Sequence, residues 1–311
     1  MGVRLASSST HSSRLHTTQA QSSYKIPKQR EQCPESNTWT DEEIISAVES
    51  APYLEGPDDN KLVQISEDTV VKLGRDWDST TSEALAMELV RKQTRIAVPR
   101  KRRAIRHHHP EGNGLIVMDL VPNSQQLRVT WPSLSFLGKL KVILTMRLYL
   151  RQLRRVQYSS SSNTPGPPGP TPLPCNGLQF GHDAKGPFPT ISALETYFWK
   201  EHSLAEYRAS RGWAPPPNCE PLGSSAFAFL VFTHNDLNMR NLLLDDHHVL
   251  WVVDWGFSGF YPPWFEYLGM RYAAEKDKDP ESWHKCIGHM AEPGFKVEEW
   301  MKRIGYGSSD L

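Results

Sequence analysis

The sequence predicts an α+β chain of two lobes, a small, mainly β lobe followed by a larger, mainly α lobe. Three observations carry this expectation. Short strand-like runs cluster between residues 61 and 121 and are interrupted by one helical pattern. From residue 135 onward the long apolar patterns have helical spacing. A single short hairpin pattern, residues 242–253, is set among them. The expected organisation is a disordered tail at 1–39, the small lobe at 40–121 and the large lobe at 122–311, with a Pro/Ser-rich loop at 159–174.

The bulk numbers narrow the function. The chain has 311 residues, 38% of them hydrophobic and 10% aromatic, enough to bury an apolar core in each lobe. Lys and Arg total 35 and Asp and Glu total 35, a zero balance. A dedicated nucleic-acid binder needs a positive field to displace counterions, so no nucleic-acid partner is expected. Cys33, Cys175, Cys219 and Cys286 lack the spacing of a zinc site or a disulfide framework, which points to a reducing compartment. No run approaches 18 apolar residues, so no span and no membrane partner are expected. A monomer in the cytoplasm is the expectation. The first 30 residues carry Arg4, Arg14, Lys25, Lys28 and Arg30 and no acid, a composition shared by disordered tails and mitochondrial transit peptides.

Along the chain, Thr40 precedes three acids and then Ile44, Ile45 and Val48, which reads as a capped helix start. Lys61 to Ser66 and Thr69 to Leu73 read as strands around the turn Glu67-Asp68. Thr81 to Lys92 has a 3.6-residue apolar stripe, and Val98-Pro99 follows as a breaker. Leu115 to Val121 is a buried strand, stopped by Pro122-Asn123. Residues 135–158 form one long helix, and 159–174 are loop. Ile191 to Tyr207 and Glu281 to Ile304 read as helical, anchored by Trp199, Trp283 and Trp300.

The chemistry-bearing segment runs from Phe232 to Tyr267. It holds His234-Asn235-Asp236-Leu237-Asn238-Met239-Arg240-Asn241, then apolar residues 242–244, a polar turn, apolar residues 249–253, and Asp254-Trp255-Gly256. Antiparallel pairing of the two apolar runs brings Asn241, before the first, beside Asp254, after the second. Phosphoryl transfer needs a group to orient a hydroxyl and hard oxygens for Mg²⁺. Asp236 suits the first task and Asn241 with Asp254 the second.

The spacing H-x-D-x-x-x-x-N followed by D-x-G resembles the catalytic and metal loops of the protein kinase-like fold. HNDLNMRNLLLD with VVDWGFSGFYPPWFEY is similar to aminoglycoside phosphotransferase and choline kinase-type enzymes, in particular fungal-type members. VVKLG around Lys72, the segment from Glu83 and LIVMDLVPN from Leu115 extend the resemblance over roughly residues 60 to 305. It implies an ATP-dependent phosphotransferase acting on a small-molecule hydroxyl, with ATP and Mg²⁺. By the same resemblance Asp236 is the catalytic base, and Asn241 and Asp254 are metal ligands. Lys72 holds the α- and β-phosphates, and Glu83 pairs with it, with Glu88 the rival. Met118, Asp119, Leu120 and Val121 form the adenine-binding hinge, and His234, Asn238 and Arg240 support the loop. Glu266 is a candidate for binding a cationic acceptor, with a core role as its alternative.

Three departures bear on activity. No G-x-G-x-x-G precedes Lys72, so a phosphate-covering loop is absent or made by an unusual turn near Glu67-Asp68, which motivates a second reading as an inactive, pseudokinase-type nucleotide-binding or scaffold protein. Asn235 stands where the family's motif has Gly. Asn238 stands where protein kinases have Lys, which favours a small acceptor over a protein. Two basic patterns remain. Arg100 to Arg106 followed by three histidines reads as an exposed strand and hairpin loop of the small lobe, with a nuclear localisation signal, which it resembles, as the alternative. The helix at 138–157 carries six basic residues and no acid. It reads as a core helix whose stripe is buried against the hairpin, with a membrane-surface or calmodulin-target helix as the alternative.

Overall fold

The computed structural model describes residues 39–54, 62–109, 112–158, 164–181, 183–214 and 219–304. The expected tail lies almost wholly outside the described residues, as do residues 159–163 of the Pro/Ser-rich loop. The fold is protein kinase-like and α+β, with a sheet region followed by a helical one.

Helix α1 (Asp41–Ser50) opens with a complete capping box. The Thr40 hydroxyl accepts the Glu43 N–H, and the Glu43 carboxylate accepts the Thr40 N–H. Strands β1 (Leu62–Ser66), β2 (Thr69–Gly74), β3 (Lys101–Ile105) and β4 (Gly114–Asp119) form one antiparallel sheet in the order β1-β2-β4-β3. Side chains alternate across a strand, so β2 sends Val71 and Leu73 to one face and Lys72 to the other. Val71 and Leu73 join Ile44 and Val48 of α1 in a small core. The opposite face meets helix α2 (Trp77–Gln93), whose Met87 and Val90 pack with Ile116 of β4. The pleat of β2 therefore fixes that Lys72 faces α2.

Helix α2 starts one turn earlier than its apolar stripe suggests, because Asp76 caps it by accepting the Ser79 N–H at 2.7 Å. Upstream of β1, Tyr53 bridges Val63, and the intervening residues 55–61 lie outside the described residues. The Arg100–Arg106 segment is β3 and its flanks; its first four cations are tied to local acids, and Arg106 lies over the Trp77 ring. Arg102, 8% exposed at the side chain, bonds both Asp68 and Asp119. Lys101 pairs with Glu88, Arg103 with Asp41 and Arg100 with Asp119.

The helical region follows β5 (Gln125–Gln126) and α3 (Leu127–Thr130). It comprises α4 (Phe136–Leu153), α5 (Ile191–Ser210), α6 (Trp264–Lys276), α7 (Glu281–Met290) and α8 (Phe295–Arg303). Two small sheets are threaded through it. One holds β5, β7 (Leu242–Leu244) and β8 (Leu250–Val252), the other β6 (Val231–Thr233) and β9 (Gly259–Tyr261). Trp131, Trp255, Trp283, Trp300, Phe180, Phe198 and Phe265 are fully buried in the shared core. Trp131 and Trp283 meet edge-on at 5.2 Å. Among the described residues, no helix is long and apolar enough to cross a membrane.

Three expectations are corrected, and the Pro-rich loop is placed. The segment 281–304 is two helices, because Pro293-Gly294 interrupts it and the second begins at Phe295. Trp199 is 43% exposed, and its neighbour Phe198 faces the core instead. Residues 164–174 of the Pro-rich segment are loop, and the loop is anchored: Pro165 and Pro168 are buried and Gly166 exchanges two backbone hydrogen bonds with Phe260 of β9. Helix α4 does not bury its whole apolar surface against the hairpin. Val142, Met146, Leu150 and Leu153 are buried and the helix rests on α7 and β6, while Leu137, Leu140, Leu144 and Leu148 are exposed.

Candidate active site

The β7–β8 hairpin pairs Leu242 with Val252 and Leu244 with Leu250. Asp245 builds its turn by accepting the N–H groups of His247 and Val249 and the Trp251 indole N–H. Pairing continues one step past the strands, where the Val253 N–H donates to the Asn241 carbonyl at 3.0 Å. The ends of the two strands therefore deliver Asn241 and Asp254 side by side.

Asp236 is held by two asparagines. The Asn238 side-chain amide donates to one carboxylate oxygen at 2.9 Å and the Asn241 amide to the other at 2.9 Å. The Asn238 oxygen accepts the main-chain N–H groups of Arg240 and Asn241, which fixes the loop's curl. Burial, with the charge of Asp254 adding to it, pushes the Asp236 carboxyl up to about 7. The Asn241 side-chain oxygen accepts no hydrogen bond among the described residues.

The loop is braced from behind. His234 is buried, its Nε2–H donating to the Val253 carbonyl at 3.0 Å and its Nδ1 accepting the Asp236 N–H at 3.3 Å. Burial holds the imidazole down to about 4, so it is neutral. Glu266 of α6 accepts the His234 N–H at 2.7 Å and the Asn235 N–H at 3.0 Å, and burial pushes its carboxyl up to about 7. Both Glu266 oxygens are committed to this backbone and the side chain is sealed, so it is a strut of the loop and not an acceptor-binding acid. Asn235 has φ 66°, a left-handed conformation that Gly or Asn tolerates best, which accounts for Asn where the motif has Gly.

The small lobe contributes a second cluster. Lys72 Nζ lies 2.7 Å from Glu83 and 2.6 Å from Asp254. Glu83 also accepts the Trp255 N–H, whereas Glu88 turns outward to Lys92 and Lys101. Burial disfavours the lysine's charge, yet the two carboxylates hold its pKa above the ordinary value. Asp254 is likewise opposed by burial, and Lys72 keeps it ionised. Its φ of 63° is an uncommon backbone state, of the kind found at sites where the surroundings over-determine it.

The hinge expectation is narrowed. Met118 is paired within the sheet to both β2 and β3. The Asp119 N–H donates to the Arg100 carbonyl and the Leu120 N–H to the Asp68 carbonyl. These two donors are spent, because the backbone at Arg100 and at the Glu67-Asp68 turn lies against the strand. Of the four residues, only Val121 has an N–H outside these bonds.

One network was not legible. Arg240 Nε lies 2.9 Å from Asp277, which also holds Arg128 at 3.0 Å, and Arg240 Nη2 is 3.9 Å from Asp236. Asp277 sits in the run EKDKDP, which reads as solvated turn, and only the docking of α6 brings it here. Among the described residues, no group of three or more His, Cys, Asp or Glu side chains could hold a metal ion. A divalent ion would therefore draw on one carboxylate, the free Asn241 oxygen and oxygens of its substrate, a donor set that suits Mg²⁺.

A sequence profile of the APH phosphotransferase enzyme family matches residues 213–285, which contain the whole loop and hairpin. No curated protein matches the chain in sequence. Among solved structures, the ADP-bound aminoglycoside phosphotransferase APH(2'')-Ib superposes with a TM-score of 0.50 at 13% identity, covering 85% of this chain and 86% of its own. The kanamycin and GDP complex of APH(2'')-IIIa gives 0.49 at 12% identity, covering 81% of each chain. The choline kinase LicA of Streptococcus pneumoniae gives 0.44 at 11% identity, covering 82% of each chain. The first of these likenesses shows the fold.

Proposed function

We propose that the chain is an ATP-dependent phosphotransferase that moves the γ-phosphoryl group to a hydroxyl of a small molecule. The observation that carries this reading is the convergence of Asp236, Asn241 and Asp254 at the open end of one hairpin, with Lys72 on Asp254. The family profile over residues 213–285 supports it at the level of phosphotransfer. The closer resemblance to fungal-type members rests on the loop sequence alone.

In this reading Asp236 accepts a hydrogen bond from the acceptor hydroxyl and takes its proton as the O–P bond forms. Asn238 and Asn241 hold both its oxygens in place, so the hydroxyl meets a carboxylate of fixed direction. Lys72 exchanges Asp254 for the α- and β-phosphates, with Glu83 keeping it extended. Asn241 and Asp254 would hold Mg²⁺, which supplies charge neutralisation at the β- and γ-phosphates. Arg240, anchored by Asp277, sets a positive charge near Asp236. The acceptor is released as its phosphate monoester and ADP remains.

A second reading, a nucleotide-binding or scaffold protein without turnover, is favoured by the spent hinge donors and the missing glycine loop. Thermal denaturation with and without millimolar Mg-ATP tests for nucleotide binding, and transfer of labelled γ-phosphate separates a nucleotide-binding protein without turnover from the transferase. Stabilisation that is lost in Asp254→Ala supports nucleotide use, and no stabilisation supports the scaffold reading.

A further inference from the structure

We propose that the outer face of α4 docks on an anionic lipid surface. The helix is apolar on two opposite sides. Val142, Met146, Leu150 and Leu153 serve the core. On the other side Phe136, Leu137, Leu140, Leu144 and Leu148 are 79, 73, 38, 51 and 56% exposed. Residues 136, 140, 144 and 148 recur every fourth position, so they form one ridge about 18 Å long. Isolated exposed leucines are ordinary, but a contiguous ridge of five large apolar side chains marks an interaction surface.

The charges around the ridge identify what covers it. At 3.6 residues per turn, Lys141 and Arg147 fall about 60° to either side of the ridge and Arg151 continues it past Leu148, while Arg155 lies in the turn just after the helix. All four are exposed, and none makes an ion pair among the described residues. The rest of the helix's basic residues are engaged, Arg154 by Glu292 and Lys139 over the Trp131 ring. The contrast with the Arg100–Arg103 cations, each tied to an acid, is direct. No acid occurs in the sequence between Asp119 and Asp183. A convex ridge of leucines with lysine and arginine stems beside it matches an interfacial helix, whose apolar side chains enter the acyl boundary while the cations reach lipid phosphates. A second copy of the chain is a poor occupant, since a two-fold contact would set Lys141, Arg147 and Arg151 against their own counterparts. The basic N-terminal residues have the same sign and do not complement the face. This departs from the expectation of no membrane partner, which rested on the absence of a spanning segment. The inference does not rest on the phosphotransferase reading.

The test is co-sedimentation of the full chain with vesicles of phosphatidylcholine alone or with about 30% phosphatidylserine at about 0.1 M salt. The chain is expected to partition onto the anionic vesicles, to bind neutral ones weakly, and to dissociate as salt is raised. Leu144→Ser with Leu148→Ser should weaken partitioning about tenfold or more. Arg147→Glu with Arg151→Glu, a variant independent of packing, should weaken it at least about fivefold per position. Unchanged denaturation midpoints establish that both variants fold. No binding by the wild type overturns the proposal. So does equal binding by both variants, which would assign the attraction to the tail. A concentration-dependent dimer or an acidic protein partner that is lost on Leu144→Ser with Leu148→Ser also overturns it.

Discussion

Lys72 Nζ lies 2.6 Å from Asp254 Oδ1, and this contact joins the sheet of the small lobe to the turn that follows the hairpin of the large one. The pair is 182 residues apart in sequence and, with Glu83, forms a nearly buried triad of one cation and two carboxylates. One positive charge holds two negative ones, so the lysine is the member whose loss is least tolerated.

Lys72→Met should therefore destabilise the fold by about 3 kcal/mol, because it leaves Glu83 and Asp254 facing each other without a counter-charge. Chemical denaturation measures this. Adding Glu83→Gln should recover part of the loss, since the remaining buried carboxylate then faces a neutral amide. A double variant no more stable than the single one would remove the triad account.

Glu266 gives a pH signature. Burial raises its carboxyl from 4.5 to about 7, so the folded chain holds this proton more tightly than the unfolded chain does. The linked stability is full below the unfolded value and is lost as pH rises through about 7. Comparing stability at about pH 5 and about pH 8, the wild type should lose about 2.5 kcal/mol more than Glu266→Gln. Parallel pH profiles would show that Glu266 does not titrate in this window.

Asn235 should behave as a conformational residue. Asn235→Gly keeps access to φ 66° and should retain folding and turnover, losing only the bond to the Asn176 carbonyl. Asn235→Ala should cost about 1 kcal/mol or more in stability. Thermal denaturation with a turnover assay distinguishes them, and an alanine variant as stable as the glycine one would contradict the backbone argument.

Asp277 tests the buried network beneath the loop. Asp277→Asn should leave Arg240 less firmly held and lower kcat with little change in the KM for nucleotide, because Lys72, Asn241 and Asp254 are untouched. A rise in KM alone would place Arg240 in substrate binding instead.

The sequence made some of this geometry legible for simple reasons. A strand period of two and a hairpin turn suffice to bring Asn241 beside Asp254. A helical period suffices to set Glu83, with Met87 and Val90, on the side of α2 that Lys72 faces. Features that depend on which surface is covered were not legible. Phe198 and Trp199 are adjacent, and only the packing of α5 decides which is buried. Both sides of α4 are apolar, and periodicity alone does not say which one meets the core. The Asp119 and Leu120 donors are consumed by backbone partners that come near only once β3 and the Glu67-Asp68 turn are folded. Asp277 reaches Arg240 through the docking of α6, and no local pattern records it.

The most direct measurement is transfer of labelled γ-phosphate from Mg-ATP to a panel of amino alcohols, sugars and aminoglycosides, with wild type and Asp236→Asn in parallel. The account predicts a phosphorylated product with at least one acceptor. It also predicts a loss of about 10²–10⁴-fold in turnover for the variant, which still binds Mg-ATP. Equal turnover by the two proteins, or no transfer to any acceptor by a wild type that Mg-ATP does not stabilise, would contradict it.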